Sequence, residues 1–484
     1  MNFINSLIDT VKKSDKSNIN TKSSNLSKTA INTTNINSES KLKKAVSDEH
    51  KTVEQILKDL DYPIESHYVM TKDGYILKVF RINGKKNYSL DNKKINQNLF
   101  ENQINSNIYD PNSKYYSPPD REYITNSFKH PVLFQHGLLD SSDGWLCNEE
   151  HLNLPLILAN LGFDVWLSNS RGNKYSRNHI SLNPDSSFEF WQFSFEEMGY
   201  YDIPSVIEYI IKINKMFNKI NYIGHSQGTC MLFAALTNSN LQDFFRQTIN
   251  SFIALAPVAR VGNIKSGLLS LMDTLKTDTY LPEECFSSIS HIPIFRNNVN
   301  ISFTKDITLW INKNFPKLTN LIIDAISDYN SYNLNNQNRV NVYLSKFPSG
   351  TSLKALRHFS QNMRSKNFNK FDYGKEANCY IYKNSLPGDY DLRSIKGFKI
   401  ALISGSVDKL SCIEDVEWLR DELQYGNNIS YYKCYENMGH LSFMVGLSVE
   451  WFLDIIEYFY DIGDYEKNKV INEIKIDDYT NNPI

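Results

Sequence analysis

Short apolar runs alternate with amphipathic segments over most of the chain. Six runs have the length of β-strands and end in small or polar residues: 75–82, 131–137, 164–172, 220–226, 251–259 and 397–406. The segment 198–215 is helix-like. Strands that alternate with helices predict an α/β fold, a mostly parallel central sheet with helices on both faces. Catalytic groups in such folds gather beyond the carboxyl ends of the strands.

Polar stretches interrupt this pattern and divide the chain. Residues 1–52 are rich in Ser, Asn, Thr and Lys and predict a disordered tail. The Asn-dense stretch 83–127 separates two strand-like runs and predicts a surface insertion, and 464–484 predicts a polar C-terminal tail. The remaining chain divides into a first part of the core, an insertion between core strands and a second part of the core: 53–261, 262–386 and 387–463.

Composition and charge exclude some function classes. Hydrophobic residues make up 41% of the chain, enough for a large core, and the net charge of −2 gives no reason to expect nucleic-acid binding. The six cysteines form no C-x-x-C pair, so no zinc site is expected. No apolar run approaches 18 residues, so no transmembrane helix is predicted. The start, "MNFINSLIDTVKKSDKS", lacks the apolar stretch of a signal peptide, which predicts an intracellular protein.

The stretch "YIGHSQGTC" places Ser226 between two glycines, Gly224 and Gly228. It follows an apolar strand-like run and precedes the helix-like "TCMLFAAL". A G-x-S-x-G sequence between a strand and a helix is typical of the nucleophile elbow of α/β-hydrolases, in which a tight turn requires small neighbours. Ser226 is therefore the predicted nucleophile.

A serine hydroxyl needs a base to accept its proton, and in this fold the base follows the acid along the chain. Three histidines follow the serine: His291, His358 and His440. His440, in "ENMGHLSFMVG", comes after the last strand-like segment, "NNISYYKCYE" (427–436), and is the predicted base. His358 has a helical context and comes too early, and His291 falls in the insertion.

The acid is expected after the penultimate strand. The stretch "IALISGSVDKLSCIEDVEWL" supplies Asp408 just beyond the strand and Asp415 in the helix that follows. Asp408 is the predicted partner of His440. Asp415 is interpreted as a solvated acid near a helix N-terminus.

An oxyanion hole requires two backbone N–H groups. One is predicted at Gln227, the residue after the nucleophile, and the other at Leu138 in the loop "FQHGLLDSSDGW". The neighbouring His136 is predicted to shape this loop through hydrogen bonds.

With these motifs the sequence resembles the acid lipase family, which includes lysosomal acid lipase, gastric lipase and the yeast-type steryl ester hydrolases. The matching motifs span about residues 53–460: "YPIESHYVMTKDGYILKVFRI", "HGLLDSSDGW", "NSRGNKYSRNH", "GHSQGT", "SGTSLKALRHFSQ", "SGSVDKLSCIEDVEWL" and "MGHLSFMVG". The resemblance implies the α/β-hydrolase fold and places the family's nucleophile, acid and base on Ser226, Asp408 and His440. It places the oxyanion amides on Leu138 and Gln227.

The resemblance also implies a helical cap or lid in the insertion 262–386, with amphipathic stretches at 267–275 and 307–315. It implies hydrolysis of lipid carboxylic esters, either steryl esters or triacylglycerols, without a metal or organic cofactor. The expected partner is a lipid ester at a membrane or lipid-droplet surface, with the protein peripheral and intracellular. A lysosomal or secreted location is the alternative.

Two other functions remain open from the sequence. One is an esterase or thioesterase acting on smaller soluble substrates. The other is an inactive lipid-binding protein on the same fold.

Overall fold

The computed structural model describes residues 48–85, 130–265, 323–324, 327–328 and 331–462. Its strands, in chain order, are β1 Ile64–Met70, β2 Tyr75–Ile82, β3 Pro131–Gln135, β4 Asp164–Leu167, β5 Asn178–His179, β6 Ile220–His225, β7 Ile249–Leu255, β8 Ile400–Gly405 and β9 Ile429–Tyr435. All of them belong to one sheet.

The strands follow the order β1-β2-β4-β3-β6-β7-β8-β9, and β5 pairs with β2. The strands from β4 to β9 along this path are parallel to one another, whereas β1 and β2 are antiparallel to their neighbours. The sheet is therefore mostly parallel, as predicted. The carboxyl ends of its parallel strands meet along one edge, where the loops after β3, β6, β8 and β9 emerge.

The α-helices of the described residues, in chain order, are α1 Val53–Asp59, α2 Leu154–Asn160, α3 Phe195–Glu197, α4 Ile203–Asn214, α5 Gln227–Leu236, α6 Ser239–Thr248, α7 Ser331–Leu334, α8 Gln337–Lys346, α9 Leu353–Ser365, α10 Lys375–Ile381, α11 Ile413–Gln424, α12 Ser442–Val445 and α13 Glu450–Ile462. A π-helical turn, Met198–Asp202, leads into α4. Short 3₁₀ helices are Ser142–Leu146, Glu150–Leu152, Phe188–Trp191 and Leu392–Ser394.

Successive residues of a strand point to opposite faces of the sheet, and both faces of this sheet are buried under helices. On one face, Leu133 packs in a cluster with Tyr222 and Trp166 of the neighbouring strands, together with α4 and α5. On the other face, Phe134 packs in a second cluster with Ile223, together with α1, α2 and α13. Two-sided burial explains why the central strands read as continuous apolar runs.

The predicted elements agree with this fold. Each of the six strand-like runs overlaps a strand, and the helix-like segment 198–215 contains α4. The described part of the insertion 262–386 carries helices α7 to α10. Its amphipathic stretches 267–275 and 307–315, the surface insertion from residue 86 to 127 and the tails 1–47 and 464–484 lie outside the described residues.

The N-terminal boundary differs from the prediction. The sequence places residues 48–52 in the predicted disordered tail, but Asp48 is buried and accepts a hydrogen bond from Arg339 at 2.6 Å. The ammonium of Lys346 donates to the carbonyl oxygens of Asp48 and Glu49, both at 3.0 Å. Both basic partners lie on α8, almost 300 residues away, so nothing local in the sequence marks this attachment.

Within the described ranges, none of the helices combines the length and the hydropathy needed to cross a membrane.

Candidate active site

Ser226 lies in a tight turn between β6 and α5. Its backbone has φ 54° and ψ −120°, a conformation that is strained in a residue other than glycine. The Ser226 amide donates to the carbonyl of Leu255 on the neighbouring strand at 3.1 Å. A Cβ on Gly224 would lie 2.8 Å from the carbonyl of Gly228, and a Cβ on Gly228 would lie 2.9 Å from the carbonyl oxygen of His136. Steric crowding therefore requires both glycines, and the turn has the strand–turn–helix geometry predicted from the motif.

The loop after β3 lies against this turn. A Cβ on Gly137 would lie 3.1 Å from the Cβ of Ser226. The ring of His136 accepts a hydrogen bond from the Ser170 amide at Nε2, at 3.1 Å. Nδ1 therefore carries the hydrogen and donates it to the Gly137 carbonyl at 2.8 Å. Burial lowers the pKa of His136 to about 4, so the ring is neutral and shapes the loop as predicted.

The two predicted oxyanion donors adjoin the serine by different routes. Gln227 follows it in sequence and begins α5. Amides in the first turn of a helix have no acceptor inside the helix, and the helix N-terminus attracts negative charge. Leu138 follows Gly137 in the loop that contacts Ser226. Both amides stay predicted oxyanion donors, because the start of α5 and the loop at Gly137 both border the serine.

Asp408 and His440 are joined directly. Nδ1 of His440 lies 2.8 Å from Oδ2 of Asp408, and both side chains are buried. The other carboxylate oxygen, Oδ1, accepts the backbone amides of Leu410 and Ser411, each at 2.8 Å. These two bonds fix the carboxylate so that Oδ2 faces the imidazole.

His225 connects this pair to the nucleophile turn. Its Nε2 donates to the carbonyl of His440 at 3.1 Å, and the two rings lie 4.8 Å apart between centroids. Because His225 directly precedes Ser226, His440 is held alongside the serine. Among the described residues, no hydrogen bond joins the Ser226 hydroxyl to His440. Such bonds often form only when substrate is bound.

The surroundings of His440 favour its protonated form. Burial alone lowers the pKa of His440, but the charge and hydrogen bond of Asp408 and the charge of Asp328 outweigh burial, so the pKa is raised above its ordinary value. For His225, burial and the neighbouring His440 both lower the pKa, so that ring stays neutral. Of the two neighbouring rings, which are tilted by 49° to each other, His440 is the one able to take up a proton.

His358, which the sequence offered as another possible base, packs in the interior and makes hydrogen bonds away from Asp408. His358 lies on α9, stacks on Phe195 with ring centroids 4.0 Å apart and contacts the hydroxyl of Ser194 and the carbonyl of Asn369. Burial lowers the pKa of His358 to about 4. The rejection of His358 as the base agrees with these contacts, whereas His291 lies outside the described residues.

Asp415 differs from its sequence interpretation. It lies in the first turn of α11, as predicted, but it is buried rather than solvated. Its carboxylate accepts hydrogen bonds from Nε of Arg260 at 2.6 Å and from the amide of Asn263 at 2.8 Å. It joins the start of the insertion to the core and does not contact His440.

One residue near the pair was missed by the sequence reasoning. Asp328, in the insertion, accepts hydrogen bonds from the backbone amides of His440 and Leu441, the latter at 3.4 Å. Asp328 is fully buried. It lies 112 residues before His440 in the chain, and no local pattern signals the contact.

Comparison with known proteins identifies the family to which the chain belongs. A family model described as a partial α/β-hydrolase lipase region matches residues 53–149, and a model of the α/β hydrolase fold matches 130–282. Gastric triacylglycerol lipase of Bos taurus is 32% identical over 394 residues, 81% of this chain and 86% of that lipase. The human gastric enzyme is 33% identical over 396 residues, with the same shares of each chain. Human lysosomal acid lipase/cholesteryl ester hydrolase is 31% identical over 408 residues, 82% of this chain and 88% of that enzyme.

These similarities extend over most of both chains. The chain therefore belongs to the acid lipase family of α/β-hydrolases and is a carboxylic ester hydrolase.

Proposed function

We propose that the protein hydrolyses lipid carboxylic esters through an acyl-enzyme on Ser226, with His440 as base and Asp408 as its acid partner. The observation that carries the proposal is the 2.8 Å contact between His440 and Asp408, held next to the strained serine turn by the His225 bond. A buried carboxylate on Nδ1 leaves Nε2 of the imidazole as the atom that accepts a proton.

The reaction then follows from the positions of these groups. Ser226 Oγ attacks the ester carbonyl carbon while its proton passes to Nε2 of His440. The amides of Leu138 and Gln227 donate to the oxyanion that forms, and its collapse breaks the bond to the alcohol oxygen, which takes the proton from His440. Water repeats the sequence on the acyl-enzyme and releases the fatty acid.

The substrate class is supported by the names of the relatives. One group is named for triacylglycerols and another for cholesteryl esters. We infer a water-insoluble ester of one of these two kinds, taken from a membrane or lipid-droplet surface to which the protein binds peripherally. The intracellular location stays a prediction, and the gastric and lysosomal names of the relatives favour its secreted or lysosomal alternative.

A fluorophosphonate probe is expected to label the wild-type protein at one residue, Ser226, and to leave Ser226→Ala unlabelled. Mass spectrometry of the labelled peptide identifies the site. Labelling of a different serine, or undiminished labelling of Ser226→Ala, would contradict the acyl-enzyme proposal.

Rates on cholesteryl oleate, trioleoylglycerol and a short soluble ester define the substrate. A preference for the short ester would show an esterase for soluble substrates instead of a lipase.

The insertion 262–386 is proposed as a cap whose apolar faces meet the lipid. We expect that replacing Leu268, Leu271 and Leu275 together by Ser slows hydrolysis of an aggregated ester severalfold and spares a soluble one, because the proposed triad lies outside the insertion. These leucines lie outside the described residues, so the prediction rests on their spacing in the sequence. Both rates are measured beside a thermal melt. Equal loss of both activities with a lower melting temperature would show that the leucines are core residues.

A further inference from the structure

Asp328 attaches the insertion to both loops of the proposed acid–base pair. Its carboxylate accepts the backbone amides of His440 and Leu441, as described above. Its backbone forms an isolated antiparallel bridge with Asp408, and the neighbouring amide of Lys409 donates to the carbonyl of Ser327 at 2.9 Å. One short segment of the insertion therefore contacts the loop after β8 and the loop after β9 together.

The residue before the imidazole is matched to this contact. A Cβ on Gly439 would lie 2.8 Å from the Cβ of Asp328, and nearer still to its carboxylate. The absence of a side chain at Gly439 allows the carboxylate to reach the two amides. The arrangement is thus a close fit between two segments rather than a chance approach of an exposed acid.

We propose that Asp328 is a positioning residue that holds the His440 loop and places a second negative charge beside the imidazole, and so sets the pH range in which His440 acts as base. The inference rests on the proposed function, in which neutral His440 accepts the serine proton. Asp328 touches no reacting atom in this scheme and acts through His440.

Asp408 and His440 are the ionisable groups that act most strongly on this carboxyl. Tyr343 of α8 interacts with it at longer range, and His225 in turn faces His440. Burial, followed by the charge of Asp408, raises the pKa of Asp328 to about 7, although His440 and the two amides act in the opposite direction. Burial raises the pKa of Tyr343, so that phenol stays neutral. Because each of the two groups shifts the pKa of the other, Asp328 and His440 titrate as a coupled pair.

Replacing Asp328 by Asn removes one negative charge and keeps the side-chain size. The amide oxygen can still accept from His440, while the NH₂ group replaces the acceptor of the longer Leu441 contact. Without that charge the pKa of His440 falls, and His440 stays neutral to lower pH. We expect the acid limb of kcat/KM on a short soluble ester to move to lower pH by about one unit. A thermal melt checks that the variant is folded, and the limb is fitted in buffers of equal ionic strength.

Ser442→Ala is the matched control. The Ser442 hydroxyl accepts the Gly439 amide at 3.0 Å, so its loss loosens the same loop without changing any charge. We expect Ser442→Ala to lower kcat while the acid limb stays at the wild-type pH. An unmoved limb in Asp328→Asn, with kcat lowered at every pH, would show a purely structural role and overturn the proposal.

A second measurement needs no change at Asp328. NMR titration of the His440 ring in the wild-type protein, assigned against His440→Gln, is expected to show two steps because the ring senses the ionisation of Asp328. A single simple step would contradict the coupling, even if Asp328→Asn fails to fold. If Ser226→Ala is inactive but the acid limb of Asp328→Asn does not move, only the proposed role of Asp328 is wrong. If Ser226→Ala is active, the proposed triad itself is wrong.

Discussion

Ser226→Ala and His440→Ala are each expected to lower kcat on a soluble ester by about 10⁴- to 10⁶-fold, and the double variant by little more. Without Oγ no acyl-enzyme forms, and without the imidazole the hydroxyl keeps its proton. Because the two groups act in one step, their losses do not add. The measurement is single-turnover kinetics on pure protein with a melt beside it, and near-normal turnover of His440→Ala would contradict the assignment of the base.

Asp408→Asn is expected to cost kcat about 10⁴-fold for a more specific reason. The amides of Leu410 and Ser411 hold Oδ1 and would keep the asparagine carbonyl in that place. The asparagine NH₂ would then face Nδ1 of His440, where a donor meets a donor. The imidazole must then adopt the other tautomer, with its hydrogen on Nε2. In that tautomer Nε2 cannot accept the proton of the serine.

Asp415→Asn is the matched control for this variant. Asp415 lies on the same stretch of chain and is also buried, but it binds Arg260 rather than His440. We expect a lower melting temperature with kcat close to that of the wild type. A loss of kcat as large as that of Asp408→Asn would move the role of the acid to Asp415.

The central strands and the serine turn were predictable from short stretches of sequence, because interactions between nearby residues determine them. The central strands are buried on both faces, so β6 and β8 appear as apolar runs in the sequence. The turn at Ser226 was predictable because only glycine fits at Gly224 and Gly228, and this steric requirement is written directly into the motif. The order of serine, acid and histidine along the chain then restricted the choice of partners.

Strand β1 was not among the predicted strands because its buried residues are partly polar. Glu65 and His67 are both buried, and their side chains lie 3.0 Å apart. Arg81 of β2 contacts the same carboxylate at 3.4 Å and binds Asp164 of β4 at 2.6 Å. The buried charges of β1 are paired with side chains of its own and of other strands. Such a strand lacks the apolar pattern by which strands are recognised in a sequence.

The contacts that the sequence did not predict are those made over long separations. The position of Asp415 near a helix N-terminus predicts a solvated acid, and its partner Arg260 is 155 residues away. Asp328 lies 112 residues from His440. Whether a charged residue is buried depends on a partner that only the folded chain brings near. The proposed catalytic residues follow from a motif and their order, whereas the side chains that support them do not.

Gly228→Ala is expected to remove most of the activity and to destabilise the fold by about 3 kcal/mol. The added Cβ would lie 2.5 Å from the carbonyl oxygen of Gln135 and 2.9 Å from that of His136. Both neighbours are backbone atoms, at the end of β3 and in the loop that follows, so no side chain can rotate away. Helix α5 and the loop must separate instead, which moves Leu138 away from Ser226. A displacement of about 1 Å in such a site costs on the order of 100-fold in rate.

Gly374→Ala separates this steric effect from the ordinary cost of replacing glycine. Gly374 has φ 87° and ψ 159° and no atom within 4 Å of an added Cβ, so its substitution imposes backbone strain alone, about 1–3 kcal/mol. Denaturant unfolding and kcat on a soluble ester are measured for both variants. We expect Gly374→Ala to keep its kcat and Gly228→Ala to lose it even at temperatures where the protein is fully folded. If folded Gly228→Ala keeps wild-type kcat, the position of the β3 loop does not control the oxyanion amides, and the assignment of Leu138 as a donor is wrong.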